Sequence, residues 1–385
     1  MSSGAHGGRR FLVMISYEIE IGYAIGRLIT VFHEMARRLG GDASAVHFSF
    51  STVGDKKSPS LPPGFSNLLE FNYRKPDAAG LARFLEYIRK NGITDLFALD
   101  MPVTATFLAE ARRAGVRDVV AYWGAPMSSR NHGLKLLAKR LEVALLRRDR
   151  PDLFLFESEA MRDLAVNGRG LPRSATDVFH TGVDESRFHP VAGAADVARQ
   201  RFNIPAGNKI ICYMGHLHER KGVHVLMQAM QRIVKRGRSD ITALFLGNRN
   251  NEERNFAAHY AGAESQIVFG GYQSDIPQLL SGCYAGCIPS TGWDSFPMSS
   301  IEMQACGLPV IVSDWQGVPE TVADGVTGIV TPTGNADALA DAIIALADDP
   351  ARRQRMSDAS LARIAGGFTR EHQIRNLVDC LAKRG

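Results

Sequence analysis

The chain has 385 residues, 45% of them hydrophobic and 22% charged, with a formal net charge of +5 and five cysteines. That length is too great for one ordinary domain and leads to an expectation of two, each burying its own core. No apolar run approaches the roughly 18 residues that cross a bilayer. The odd cysteine count, without a C-x-x-C pair, reads as buried thiols rather than a metal or redox centre.

Residues 1–10 are small and polar and lead into Phe11-Leu12-Val13-Met14-Ile15. That run is too short for a signal-peptide core and no small-residue cleavage site follows it. It reads as the first buried strand, and the protein as cytoplasmic. Further strand candidates in the first half are 45–50, 95–99, 118–122, 152–156 and 176–180. Leu28, Phe32, Met35 and Leu39, and then Leu81, Phe84, Leu85 and Ile88, recur at helical spacing between them. In the second half the candidates are 209–214, 241–246, 266–269, 283–288 and 308–312, with Val223, Leu226, Met230 and Ile233 marking a helix between the first two. Such alternation predicts an α/β protein with parallel sheets covered by helices on both faces. The expected division is a Rossmann-like domain at 1–185, a linker at 186–208 carrying Pro190 and Pro205, a second Rossmann-like domain at 209–368, and a terminal helix at 369–385 that packs back on the first domain. Two such domains face one another across a cleft at the carboxyl ends of their strands.

The positive charge is uneven. Arg130, Lys135, Lys139, Arg140, Arg147, Arg148 and Arg150 stand against Glu142 and Asp149, a net of +5 within 130–150. Leu134, Leu137, Ala138, Leu141 and Leu145 recur there at helical spacing, which predicts an amphipathic helix. Two readings follow: a helix packed on the first domain by that stripe, or a contact with an anionic membrane. Nucleic acid fits less well, because no aromatic residues interleave with the charges.

The densest chemistry lies at Trp293-Asp294-Ser295-Phe296-Pro297-Met298-Ser299-Ser300-Ile301-Glu302, closed by Gly307-Leu308-Pro309. Pro297 suits the first helical position, where its missing N–H costs nothing. The amides of Met298, Ser299 and Ser300 would then point out of a helix N-terminus, a site that attracts phosphate. Asp294 before the helix and Glu302 within it can approach one ligand from two sides. A second segment, Gly215-His216-Leu217-His218-Glu219-Arg220-Lys221-Gly222, follows a strand and opens a helix, where a diphosphate sits in such folds.

These segments resemble the donor site of retaining GT-B glycosyltransferases of family 4, with an E-x7-E motif, here Asp294-x7-Glu302 with aspartate for the first glutamate, a G-x-P turn and a G-R-L-x-x-x-K-G stretch; Pro297 stands where many relatives have glycine. Thr181-Gly182-Val183-Asp184 and Phe188-His189-Pro190 resemble the linker of the same family. The resemblance implies a GT-B fold. It also implies transfer of a sugar from a UDP- or GDP-linked donor to a hydroxyl acceptor, with retention and without a cofactor or bound metal. By that resemblance Asp294 contacts the donor sugar, Glu302 the ribose hydroxyls and Lys221 the diphosphate. Ser295, Phe296, Met298, Ser299 and Gly215 line the donor. His216 stands where the family has arginine; either Arg220 supplies that fixed charge or His216 donates one hydrogen bond. Gly22 falls in the place of the family's glycine-rich loop, next to Ile21, and Trp123 where many relatives carry a histidine near the reacting sugar, on the acceptor side. The acceptor expected is a small molecule, a lipid-linked species or a glycan. Two other readings stay open: a nucleotide-sugar epimerase of the same fold, and a non-catalytic partner subunit.

Overall fold

The computed structural model describes residues 8–19, 22–54, 58–127, 131–249 and 251–384; Ile21 and Arg130 lie outside them. The chain divides into two compact units, Met1–His180 with Glu371–Gly385, and Thr181–Arg370.

The first unit is built on strands β1 (Phe11–Met14), β2 (Val46–Phe50), β3 (Leu68–Glu70), β4 (Asp95–Leu99), β5 (Asp118–Trp123), β6 (Leu153–Phe156) and β7 (Thr176–Val178). They form one parallel sheet in the order β3-β2-β1-β4-β5-β6-β7. Successive side chains of a strand point to opposite faces, and β1 shows the consequence. Leu12 and Met14 enter one core with Phe84, Ile88 and Phe107; Phe11 and Val13 enter another with Phe32, Met35 and Leu39. The helices are α1 (Tyr23–Gly40), α2 (Ala78–Asn91), α3 (Phe107–Arg113), α4 (Gly133–Leu145) and α5 (Glu159–Leu164). A sheet covered on both faces needs continuous apolar strands, which is why β1, β2, β4 and β6 are buried throughout, while β7, at the edge, is not.

The second unit repeats the plan. Helices α6 (Val197–Phe202), α7 (Val223–Lys235), α8 (Ile276–Leu280), α9 (Met298–Ala305), α10 (Ala336–Asp348) and α11 (Pro350–Gly367) surround strands β8 (Lys209–Met214), β9 (Ile241–Leu246), β10 (Ile267–Gly271), β11 (Ala285–Ile288), β12 (Val310–Ser313) and β13 (Gly328–Thr331). The parallel order is β10-β9-β8-β11-β12-β13. Cys212, Cys283, Cys287 and Cys306 are buried thiols, and Cys380 is half-buried. Helix α12 (Arg370–Ala382) closes the chain and sends Ile374, Leu377 and Leu381 into the core that holds β1 and α1.

Three local features differ from the sequence reading. Strands β3 and β13, of three and four residues, are edge strands too short to show a period. Residues 186–208, expected as linker, carry α6 and bury Phe188, Ala198 and Ile204 in the second unit's core; the prolines there bracket a packed turn of helix. The third is α4. Its leucine stripe does not pack on the first unit: Leu134 is 85% exposed, Leu137 53%, Leu141 55% and Leu145 81%, while Val143 is the buried residue of this helix. No helix among the described residues is long and apolar enough to cross a membrane.

Candidate functional site

In the second unit Arg220, Lys221 and Asp294 lie on the loops that follow β8 and β11. After β8 the chain passes through Gly215 and His216 to a single 3-10 turn, Glu219–Lys221. Tyr213 fixes the first part of this path by donating its hydroxyl to the His216 carbonyl at 2.8 Å. Burial, and then the negative charge of Asp294, hold that phenol far above its ordinary pKa, so it remains a donor. Asp294 itself follows β11, on the loop before α9.

Gly222 is what lets the two loops meet. Its φ is +67°, and a Cβ there would overlap the carbonyl oxygen of Pro289. Only glycine tolerates both conditions without cost. The close approach sets Lys221 Nζ 2.7 Å from Asp294 Oδ2. Asp294 is 5% exposed, and its carboxylate also accepts from Ser290 Oγ at 2.8 Å. Its backbone amide donates to Gln316 Oε1 at 3.1 Å, and Gln316 is itself left-handed at φ +48°. A buried carboxylate needs such pairing.

Helix α9 starts beside this pair. Pro297 is the cap, at φ −62° and ψ 112°, and Met298 is the first helical residue, one position later than expected. The Ser300 amide is already used, donating to the Pro297 carbonyl at 3.0 Å. Helix geometry leaves the amides of Met298 and Ser299 without an intrahelical carbonyl, so two amides rather than three face outward. Ser295 and Phe296 are buried just before the helix, and Phe296 stacks on Phe368 with ring centroids 6.0 Å apart. Glu302, 3% exposed, sits one turn into α9. Its charge, after burial, pushes the Cys306 thiol up to about 12. Ser300 Oγ donates to Thr321 Oγ1 at 2.8 Å, and Gln304 Nε2 donates to the Thr321 carbonyl at 2.8 Å. These buried bonds fix the rotation of α9 and therefore the direction of Glu302.

Arg220 is engaged in a way the sequence did not indicate. Its guanidinium lies 4.0 Å from the centroid of the Trp293 ring and donates to the Trp293 carbonyl at 3.1 Å. Its own carbonyl accepts from the amides of Thr291 and Gly292. Arg220 thus clamps the loop that carries Asp294. His216 is exposed. The supporting residues Ser290, Gln316 and Thr321 carried no sequence signal, since serine, glutamine and threonine in loops are common and only their hydrogen bonds single them out.

Two expected residues lie in the first unit. Gly22 caps α1 in an extended conformation, with open space where a Cβ would stand. Gly26, one turn on, approaches Ser60 so closely that a Cβ would meet its Oγ at 2.6 Å. Trp123 ends β5 and lines a cavity of about 270 Å³ together with Arg74, Asp100, Thr104, Met127 and Arg169. Residues Asp294, Glu302, Lys221, Arg220, His216, Gly215, Ser295, Phe296, Met298 and Ser299 all belong to the second unit; Gly22 and Trp123 do not.

Comparison with known proteins bears on both units. Residues 195–363 match the family described as glycosyl transferases group 1. A GDP-mannose-dependent alpha-(1-6)-phosphatidylinositol monomannoside mannosyltransferase of Mycolicibacterium smegmatis is 30% identical over 65% of this chain and 66% of its own length. A D-inositol 3-phosphate glycosyltransferase of the same organism is 28% identical over 57% of this chain and 51% of its own. The chain therefore spans about half to two thirds of the length of the curated relatives it matches. Among solved structures, Anabaena HepE in complex with UDP superposes with a TM-score of 0.77 at 19% identity, covering 97% of this chain and 100% of that one. A glycosyltransferase from Rickettsia africae superposes at 0.79 with 16% identity, covering 97% of each.

Proposed function

For a chain with the GT-B fold whose residues 195–363 match the glycosyl transferases group 1 family, we propose transfer of a sugar from a UDP- or GDP-linked donor to a hydroxyl acceptor, with retention and without a cofactor or metal. The observation that carries this reading is the Lys221–Asp294 pair at 2.7 Å, set beside the start of α9. Cleaving a glycosyl–phosphate bond develops positive charge on the sugar and negative charge on the departing diphosphate. A cation and a buried carboxylate held side by side bracket that junction. Asp294 faces the sugar, Lys221 and the Met298 and Ser299 amides take the diphosphate, and Glu302 accepts from the ribose hydroxyls. The site is preorganised by Ser290, Gln316 and Thr321, so little reorganisation accompanies the chemistry. The acceptor hydroxyl attacks the anomeric carbon from the face the diphosphate leaves.

The exposed stripe of α4 supports a location for this reaction. A helix with leucines facing water and Lys135, Lys139 and Arg140 beside them has the composition of an interfacial helix. It seats the protein on the cytoplasmic face of an anionic membrane, where a lipid-linked acceptor is at hand. Titration of the full chain with UDP, GDP and their sugar derivatives tests the donor reading. Tight binding of one nucleoside diphosphate, lost in Lys221→Ala, is expected. Binding of none would contradict it, and conversion of the sugar nucleotide without an acceptor would favour an epimerase.

A further inference from the structure

Beyond β12 the chain makes a four-residue turn, Trp315-Gln316-Gly317-Val318, closed by the Val318 amide donating to the Trp315 carbonyl at 3.0 Å. Both flanks of the turn are fixed. The Asp314 amide donates to the Thr331 carbonyl at 2.9 Å, and Asp314 Oδ1 accepts from the Thr333 amide at 2.8 Å. On the other side Gly317 caps the 3-10 turn Val318–Thr321. Gln316 is the first central residue of the turn and has φ +48°. A positive φ there is normally left to glycine. The other described non-glycine residues with positive φ are Asp100, Asn203 and Asn251, which carry the side chains that tolerate this region best. Glutamine lacks that tolerance, and backbone strain of this kind gathers at ligand sites.

The side-chain amide of Gln316 is anchored at one end only. Its Oε1 accepts from the Asp294 amide at 3.1 Å. A backbone N–H can only donate, so this bond settles which end of the carboxamide is oxygen. The other end is Nε2, which donates two hydrogen bonds and accepts none. Gln316 is half-buried. Its Nε2 makes no hydrogen bond to the described residues and is not closed off from solvent. Asp294 shows the converse. Lys221 Nζ at 2.7 Å and Ser290 Oγ at 2.8 Å both bind its Oδ2. Its Oδ1 has no partner among the described residues, and it too is not closed off although the residue as a whole is buried. One backbone hydrogen bond therefore holds together a free acceptor and a free donor, both within reach of a ligand.

We infer that Gln316 is a specificity-determining residue for the donor sugar: its Nε2 donates to the oxygen of one sugar hydroxyl, and the same hydroxyl donates its proton to Asp294 Oδ1. This assignment rests on the donor reading proposed above. A hydroxyl is both donor and acceptor, so an acceptor and a donor set side by side read it at both ends. A deoxy position is neither, and it leaves Oδ1 and Nε2 desolvated without partners. The sugar taken is then a hexose with that hydroxyl free, not its deoxy counterpart. The strained turn serves to aim Nε2, which a glycine at the same position could not supply.

Calorimetry on the full chain tests it with UDP-glucose, GDP-mannose and the 2-, 3-, 4- and 6-deoxy analogues of whichever binds, and with UDP and GDP as references that lack the sugar. In the wild-type chain at least one deoxy analogue should bind about tenfold or more weakly than its parent. Gln316→Met removes both ends of the amide. Gln316→Glu keeps an acceptor for the Asp294 amide and removes only the donor. Each variant should weaken the parent sugar nucleotide by about three- to tenfold and leave that deoxy analogue within about twofold, so the discrimination shrinks by the same factor. Affinity for UDP or GDP should stay within about twofold, which also shows that the variants fold. Discrimination that is unchanged in both variants would overturn the inference. So would a loss of UDP or GDP affinity as large as the loss for the sugar nucleotide, which would leave Gln316 as a support of the loop. A wild-type chain that binds sugar nucleotides and ignores every deoxy position overturns this inference alone. A wild-type chain that binds neither the nucleoside diphosphates nor their sugars overturns the donor reading, and the inference with it.

Discussion

Replacing Lys221 by alanine separates the pairing with Asp294 that the structure shows from the diphosphate contact proposed above. In the absence of donor, Lys221 neutralises Asp294, which is 5% exposed and retains the Ser290 hydroxyl at 2.8 Å. Loss of a hydrogen bond to a charged group costs about 1.5–3 kcal/mol. Lys221 is 24% exposed on its side chain, so water recovers part of that, and a stability loss of about 1–2 kcal/mol is expected. Transfer loses more, because the diphosphate leaves with its negative charge unmatched. A loss of about 2–4 kcal/mol in the transition state is a fall of roughly 30- to 1000-fold in kcat/KM. Initial rates at low and saturating donor measure this, and titrations with nucleoside and nucleoside diphosphate locate it. The diphosphate should lose affinity and the nucleoside should not. Equal losses for the two ligands, or wild-type turnover, would refute the placement of Lys221 at the phosphates.

Glu302→Ala should cut kcat/KM by about 30-fold or more and weaken nucleoside and nucleoside diphosphate alike; a selective loss of the diphosphate would remove Glu302 from the ribose. Arg220→Lys keeps the charge but loses the fork and the stack on Trp293, so donor kcat/KM should fall by about 5- to 30-fold, close to Arg220→Ala. Wild-type rates in the lysine variant would mean that charge alone matters. Anionic vesicles should pellet the protein at low salt, and high salt or Lys135/Lys139/Arg140→Glu should release it; no pelleting at low salt would leave α4 without a membrane. Acid stability should report His47. Burial, then Arg10, pushes its pKa down to about 4. Arg10 donates toward Nε2 and Nδ1 lies 2.9 Å from the Tyr87 hydroxyl, so the neutral ring is the one accommodated. The stability it contributes is present above about pH 6.5 and is lost as pH falls toward 4, on the order of 2–3 kcal/mol. Chemical denaturation at pH 7 and 4.5 should show a smaller drop in His47→Gln; an unchanged drop would exclude the histidine.

Most of the architecture was legible because apolar runs report strands that are buried on both faces. Phe11 to Met14 and Ile241 to Leu246 could hardly be anything else. The edge strands β3 and β13 were not, because three or four residues of mixed burial carry no period. Residues 186–208 looked like a linker on composition, yet Phe188 and Ile204 are core residues, a fact set by packing that no local pattern encodes. At the site, acids and bases were visible as motifs, while their supports were not. Ser290 and Gln316 matter through their hydrogen bonds to Asp294. The same holds in the first unit. Trp123 was visible from its place after a strand, but Arg169 reaches the cavity from the end of a distant helical turn. For α4 the periodicity was correct and the direction of the stripe was not given by it. A helical period says that one face is apolar; only the fold says whether that face meets protein.

The most direct measurement follows UDP- and GDP-linked sugars by phosphorus NMR in the presence of the full chain and of Lys221→Ala and Glu302→Ala. Free nucleoside diphosphate should appear from one class of donor with the wild-type chain, faster when acceptor is added, and at least about 30-fold more slowly with either variant. Release that is equally fast in both variants, or no release from any donor with or without added acceptor, would contradict the assignment of sugar transfer to the β8 and α9 site.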